Sequence, residues 1–599
     1  MKSPSRFAWL ACTVFMLLIA FWYFPKWQMK GSNAVLTTDA SGYYFYLPAI
    51  FIYHDVQELR FRHEVLSKYA PTSEFDQAFR HAGSGHFVMK YSAGLALQEL
   101  PFFLVAHLVA ANLGYPDDGF SEPYQFAIQL ASILVAILAL FLVRRALLPR
   151  FGEWPTTITL LLIVLGTNYL DYSALQGAMT HNWLFLWYAV LGLLTPTFYR
   201  RPTLAKAVAI GGVVGLMTLT RPTDILAVLV PLLWGLAPTK AALRERLAFW
   251  RLHVRPLIGA LVAGAAVVSI QLLYWHYVSG DWVVYSYGDQ GFSWLKPHLW
   301  EGIFSFKSGW LMYSPLLLTA LVGFGALRKQ QFEAFWPIMV FIIAFTYVAF
   351  AWDEWTYGGS LGQRAMVQTY ALLAWPMAAA LQWLFARPRW AIPYALLAVL
   401  GCYYNLWLTY QAHVGGLLVA GQMTRTYLWR VIGRYHVPPE TRLLLDTNSE
   451  FTGTPLNERV LWQQDFEQQD SATCGGPPLQ GRCSLFLDKA HPHSAEYIIA
   501  ARPGDFEWVK ATAEASVERQ EWSVGHMTQY VVQFRRGNSV VKQRTVHLQR
   551  ALEPGWPREL HFYMRPPEEE FDNVCVKFLY FGTQAHLLID NARLQAFND

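Results

Sequence analysis

The chain has 599 residues, 54% hydrophobic, 16% aromatic and only 15% charged, where an average soluble chain carries about 25% charged residues. One soluble core does not grow to this length, and a disordered chain would not hold 25 Trp, 31 Tyr and 39 Phe. The net charge of +5 is dispersed in short Lys/Arg groups between apolar segments rather than gathered on one face, which excludes a nucleic-acid partner and describes a polytopic protein with membrane lipids as its solvent.

In chain order, the first apolar segment, 7–24, follows Lys2 and Arg6 and lacks a clear small-x-small cleavage site after it. It reads as a retained anchor with its N-terminus in the cytoplasm. The region 25–123 comes next and contains an apolar stretch at 94–113. A crossing there would strand Arg144, Arg145 and Arg150 outside, and Glu99 and Pro101 suit an interfacial or re-entrant helix. The region 25–123 is therefore expected to be one large external segment lying on the membrane. Spans centred near Ile133, Leu162, Leu186, Val213, Val228, Val267, Leu317, Phe341, Ala374 and Val399 then alternate. With the first they make about eleven crossings and keep every basic cluster inside. The membrane domain is expected to cover 1–411.

A basic aromatic stretch, 424–435, falls in an expected interfacial linker, 412–448. After it the apolar period changes to two: Tyr530, Val532 and Phe534, then Val574, Val576, Phe578 and Tyr580, with turn signals at Gly537-Asn538 and Pro554-Gly555. Short strands at this spacing predict an external β-sandwich over 449–599. Cys12 and Cys402 lie in spans, and Cys575 lies mid-strand. Cys474 and Cys483 flank Gly475-Gly476-Pro477-Pro478 and on an external face are expected to be oxidised to a disulfide. No Cys/His spacing resembles a zinc site.

The polar residues that are out of keeping with their surroundings gather on the external side. Asp39 follows the first span among small and aromatic residues, including Tyr43 and Tyr44. A carboxylate there is costly unless it serves a purpose, and helix capping is the plain alternative. His181 stands at a span entrance, where it either caps the helix or donates to an anion. Arg221 and Arg364 stand at external ends of spans and suit a phosphate, as do Lys90 and Lys307. The loop 274–311, with Tyr285, Tyr287, Phe292, Trp294 and Trp300, is longer than an aromatic belt needs and is a candidate wall for a sugar or lipid cleft, as is Trp355. Asp117-Asp118-Gly119 reads as a turn.

Four segments carry a resemblance: Thr38-Asp39-Ala40-Ser41-Gly42-Tyr43-Tyr44, Met179-Thr180-His181, Leu219-Thr220-Arg221-Pro222-Thr223, and Trp355-Thr356-Tyr357-Gly358-Gly359-Ser360-Leu361-Gly362-Gln363-Arg364. With the order of spans and loops, residues 1–411 resemble the GT-C glycosyltransferases, on the branch of protein O-mannosyltransferases and the lipid A aminoarabinose transferase. The resemblance implies a polyprenyl-phosphate sugar donor and a glycan, lipid or protein acceptor. It implies inverting transfer on the external face, with Asp39 as general base. Arg221, Arg364, Lys90, Lys307 and His181 would hold the donor phosphate; Tyr43, Tyr44, Tyr287, Trp294 and Trp355 would line the cleft. Many relatives place a second acid directly after the first, whereas here Ala40 follows Asp39, which argues against a carboxylate pair and an active-site metal. Burial beside aromatics is expected to raise the Asp39 pKa toward that of a useful base.

The tail resembles jelly-roll carbohydrate-binding modules. Acids in its opening and closing strands, Asp465, Glu467 and Asp590, would in that case hold a structural calcium; a plain scaffold or partner-docking sandwich is the other reading. The competing view of the whole chain is a non-catalytic transporter or assembly scaffold for envelope polysaccharide. The expected setting is a bacterial inner membrane, with the C-terminal domain periplasmic.

Overall fold

The computed structural model describes residues 3–599 apart from 73–74, 469–473, 475–477, 520–523 and 582–585. The chain divides into two compact units, Met1–His413 and Val414–Asp599.

Among the described residues of the first unit, six helices are long and apolar enough to cross a membrane: Pro4–Gln28, Gly94–Leu113, Glu122–Phe151, Val254–Ser279, Phe332–Ala351 and Pro388–Gly415. A helix satisfies its own backbone groups, which is why such runs tolerate lipid. The chain is a multi-pass membrane protein. The other expected centres also fall on helical segments, all but that of Leu186 on shorter ones. Leu162 lies in Glu153–Gly166, Leu186 in Thr180–Arg200, Val213 in Leu204–Thr220 and Ala374 in Tyr370–Phe385. Val228 ends the 3-10 turn Pro222–Val228, and Leu317 ends another, Pro315–Leu317. Proline opens both turns, where its missing N–H costs no helical bond.

The stretch expected on the membrane surface, 94–113, is itself one of these six helices. Glu99 within it is fully buried, and neither carboxylate oxygen has a hydrogen-bond partner among the described residues. The rest of 25–123 folds around an aromatic core that includes Tyr44, Phe45, Phe61, Phe103 and Phe120. It holds the helices Thr38–Tyr44, Tyr46–Phe51 and Arg62–Tyr69 and an antiparallel pair, β1 (Ala78–Arg80) and β2 (Phe87–Met89).

In the second unit the period-two segments form two antiparallel sheets. One has the order β5-β10-β7-β8: Tyr497–Ala500, Asn573–Leu579, Gln529–Arg536 and Ser539–His547. Its central pair aligns Val574 with Phe534, Val576 with Val532 and Phe578 with Tyr530, the very residues whose alternation marks the strands. The other sheet has the order β3-β11-β6-β9: Leu456–Gln464, Leu587–Asn598, Trp508–Val517 and Arg558–Met564, with β4 (Leu485–Leu487) also pairing β11. Inward residues of both sheets share one core, as in the Tyr530–Phe562 edge-to-face contact at 5.2 Å.

The expected linker is built into this second unit. Leu443 joins its core, and the nearly buried Asp446 accepts from Arg550 Nε at 2.9 Å and from His547 Nδ1 at 3.0 Å. Such long-range pairing is invisible to local hydropathy, so a folded segment reads as a linker. Cys474 and Cys483 are joined, with a Cα–Cα distance of 5.4 Å, while the intervening Gly475, Gly476 and Pro477 lie outside the described residues.

Candidate functional site

Asp39 lies in the first turn of the helix Thr38–Tyr44, and its side chain caps nothing. Thr38 just before it has φ +47°, a costly conformation for a β-branched residue. It is pinned by its own N–H on Pro71 O (3.1 Å) and by the Thr37 hydroxyl on the same carbonyl (2.6 Å). Residues held in this way cluster at functional sites. One Asp39 oxygen accepts from Arg364 Nη2 at 2.6 Å and the other from the Tyr91 hydroxyl at 2.7 Å. The approach of Tyr91 depends on Gly42, one turn on, because a Cβ there would overlap the Tyr91 ring.

Arg364 opens the 3-10 helix Arg364–Thr369, and the loop before it turns through left-handed conformations at Tyr357, Gly358, Gly359 and Gly362. Glycine suits this conformation; Tyr357, at φ +53°, adopts it against its preference. The side chains of Asp39 and Arg364 are 26% and 19% exposed, so the pair is neither dry nor free in water.

Burial by itself would push the Asp39 pKa up. The Arg364 guanidinium, its hydrogen bond and that of Tyr91, and the nearby Lys90 ammonium outweigh it and hold the carboxyl below the usual carboxylate range. This corrects the expectation of a raised value: the aromatic surroundings are there, but so are the cations, and opposite charge wins over desolvation.

Arg221 follows the helix Leu204–Thr220, with its guanidinium 5.7 Å from the Tyr357 ring and Nη1 3.4 Å from His181 Nδ1. Arg221 and Arg364 both act electrostatically on Tyr43, Tyr287, Tyr357 and His181, which brings the two arginines into one neighbourhood. The rings of Tyr43 and Tyr91 are 4.5 Å apart, and Tyr287 stands edge-on to Tyr91 at 6.4 Å. Ser286 donates to the Lys90 carbonyl at 2.7 Å, tying the aromatic loop to this group. Asp39, Arg221, Arg364, Lys90, His181, Tyr43 and Tyr287 are therefore gathered together.

Among the described residues the side chains of the remaining candidates make other contacts, or none with this group. Tyr44 points away from Tyr43, into the core of the external region, with its hydroxyl on Gly119 O at 2.6 Å; successive helical residues diverge by about 100°. Lys307 is exposed, and Trp294, 48% exposed, stacks on Phe292 at 4.6 Å. Trp355 packs near His298, with ring centres 6.2 Å apart.

In the second unit the three acids proposed for calcium are not assembled as ligands. The buried Asp590 accepts from Ser484 Oγ at 2.8 Å, and Glu467 accepts from the Arg482 N–H at 2.9 Å. Among the described residues no group of three or more His, Cys, Asp or Glu is placed to hold a metal ion.

Several neighbours carry no signal in the sequence on their own. Gln368 donates to both oxygens of the buried Asp224, at 3.0 Å each, and its carbonyl lies 3.0 Å from His181 Nδ1. Tyr188 donates to the same carboxylate at 2.7 Å. A glutamine wholly buried within an apolar run is the one hint of this chain. A second ionic group adjoins: Asp171, fully buried, pairs with His413 and feels Lys26, and Tyr172 feels both Asp171 and Arg364. Chemically, the assembly is a cluster of cations and aromatic rings around a partly exposed carboxylate, a setting suited to an anion.

No protein-family model matches the sequence, and no curated protein matches it. Among solved structures the chain is similar to the apo oligosaccharyltransferase of Archaeoglobus fulgidus (12% identity, TM-score 0.42, 74% of this chain and 58% of that one). It is also similar to the same organism's AglB in complex with an inhibitory peptide and a dolichol-phosphate (14%, 0.38, 74% and 58%). A third is the arabinosyltransferase EmbB of Mycobacterium smegmatis (12%, 0.36, 100% and 65%). The chain spans less than two thirds of the length of each, and at these TM-scores the likeness assigns neither family nor activity.

Proposed function

We propose that the first unit is a GT-C-type membrane glycosyltransferase. It moves a sugar from a polyprenyl-phosphate carrier to a hydroxyl of a cell-envelope acceptor on the external face, in a membrane topology of about eleven crossings with the N-terminus inside and the β unit outside. The observation that supports it most is the juxtaposition of Arg221, Arg364 and Lys90 with the partly exposed carboxylate Asp39, while Asp224 acts on Arg221 from the buried side. Arg364 gives one N–H to Asp39, and a guanidinium carries five. Arg221 contacts His181 Nδ1 at 3.4 Å and lies over the Tyr357 ring at 5.7 Å. Two guanidinium groups brought into one neighbourhood suit the planar grip on phosphate.

In the proposed reaction the acceptor oxygen bonds to the anomeric carbon from the face opposite the phosphate. The bond from that carbon to the phosphate oxygen breaks, and its electron pair leaves with polyprenyl phosphate. The acceptor proton passes to Asp39. Arg221 and Arg364 stabilise the charge that grows on the leaving phosphate. Asp39 is a weak base while Arg364 holds it; a bound phosphate draws Arg364 away and adds negative charge nearby, and both changes raise its proton affinity. Transfer of labelled sugar from polyprenyl-phosphate donors in proteoliposomes tests the reading. No transfer from any such donor, to any envelope glycan, lipid or peptide offered, overturns it.

A further inference from the structure

His181 was expected to donate to the donor phosphate, but the hydrogen bonds around it assign the opposite polarity. Its side chain is only 3% exposed. The amide nitrogen of Gln368 faces both oxygens of Asp224, at 3.0 Å each. Reversing that amide would set a carbonyl against a carboxylate, two acceptors with no proton between them. The Gln368 carbonyl therefore faces His181 Nδ1, 3.0 Å away, and needs a proton there. The Arg221 contact to the same nitrogen is longer, 3.4 Å, and a guanidinium offers no lone pair. Nδ1 thus carries the hydrogen and Nε2 holds a lone pair. A second proton on the ring would set a cation beside Arg221, so the imidazole stays neutral. Among the described residues Nε2 has no hydrogen-bond partner and is not one of the sealed-off unpaired atoms, so its lone pair is open to a ligand.

Resting on the transferase reading above, we infer that His181 determines sugar specificity. Its Nε2 accepts a hydrogen bond from the donor sugar's hydroxyl on the carbon next to the anomeric centre, beside the phosphate held by Arg221. The substrate class is a polyprenyl-phosphate sugar with a free hydroxyl at that carbon. Asp224 and Gln368 are positioning residues that fix the tautomer.

Two measurements test this. The first uses the whole protein in nanodiscs with 15N-labelled histidine, the His181 signals being identified by their loss in His181→Gln. Nδ1 should resonate as a protonated ring nitrogen and Nε2 as an unprotonated one; the reverse pattern overturns the inference. The second compares transfer from polyprenyl-phosphate hexoses and pentoses with transfer from their 2-fluoro counterparts, which cannot donate. The fluorine slows the chemistry itself equally in every variant, so the change in the kcat/KM ratio isolates the hydrogen bond. His181→Phe should shrink the wild-type preference for the hydroxyl about tenfold or more, and His181→Gln, which keeps an acceptor, should restore part of it. An unchanged ratio in a His181→Phe protein that still turns over removes the inference alone. A wild-type protein that transfers from no polyprenyl-phosphate sugar removes the transferase reading with it.

Discussion

Replacing Asp39 with Asn separates the chemical role of this residue from its structural one. The amide keeps the size of the carboxylate and one acceptor oxygen, so the Tyr91 hydroxyl, 2.7 Å away, retains a partner. What disappears is the negative charge facing Arg364 at 2.6 Å. A charge-assisted bond contributes about 1.5–3 kcal/mol when dry. Here the partners are 26% and 19% exposed, so Arg364 recovers part of that from water. The expected cost in stability is about 1 kcal/mol, a melting shift of about 2–4 °C or less for a chain this size. Loss of the general base is worth far more: about 10²–10⁴ in rate, or roughly 3–5 kcal/mol of barrier. The two effects are read separately, by labelled-sugar transfer in proteoliposomes and by tryptophan-fluorescence unfolding in detergent. Turnover within about threefold of wild type would refute the assignment of Asp39, and unfolding of the variant at ambient temperature would refute the estimate of its structural role.

Arg221→Gln and Arg364→Gln should each weaken binding of a short-chain polyprenyl phosphate by about ten- to a hundredfold, the worth of a charged hydrogen bond. Lys307→Gln should leave binding unchanged, because that side chain is exposed; fluorescence titration reads all three. In the second unit Asp446→Ala leaves the nearly buried Arg550 without its carboxylate and should cost about 3–5 kcal/mol, seen as selective early melting of the β signal by circular dichroism. Retention of the wild-type melting curve would mean that Gln422, 2.6 Å from the Arg550 guanidinium, compensates alone.

The parts of this architecture that could be read from the sequence are those governed by one-dimensional rules. Period-two alternation marks β7 and β10, and their register then follows from burying the same face. Asp39, Arg221 and Arg364 stand out because a charge at the end of an apolar run needs a reason. What escapes a linear reading depends on rotation and on contacts between distant segments. Tyr43 and Tyr44 look equivalent in sequence, yet one helical step sends the second into the core of the external region. Tyr91 reaches Asp39, 52 residues away, only because Gly42 has no side chain. The Asp224–Gln368 contact spans 144 residues and runs through a neutral amide, which no charge pattern reveals. The direction of the Asp39 shift escapes the sequence for the same reason: its aromatic neighbours are local in sequence, whereas Arg364 arrives from 325 residues away.

That last pairing makes donor binding and base strength interdependent within the proposed reaction. In the free protein Asp39 has a depressed pKa because Arg364, Tyr91 and Lys90 outweigh burial. If a phosphodiester takes Arg364, the Asp39 pKa rises, and a group whose pKa rises on binding takes up a proton. Binding should therefore strengthen as pH falls through the raised pKa of the bound site toward the depressed one of the free site. Above the bound-state value the carboxylate is ionised in both states and affinity should be flat. A non-transferable phosphodiester analogue suits the measurement, since it has no titration of its own there. Asp39→Asn should abolish the pH dependence, and Arg364→Gln should diminish it by removing the partner that the phosphate displaces. A wild-type affinity that weakens on acidification across this window would mean that Arg364 keeps hold of Asp39 when the phosphate is bound, and that a different cation carries the donor.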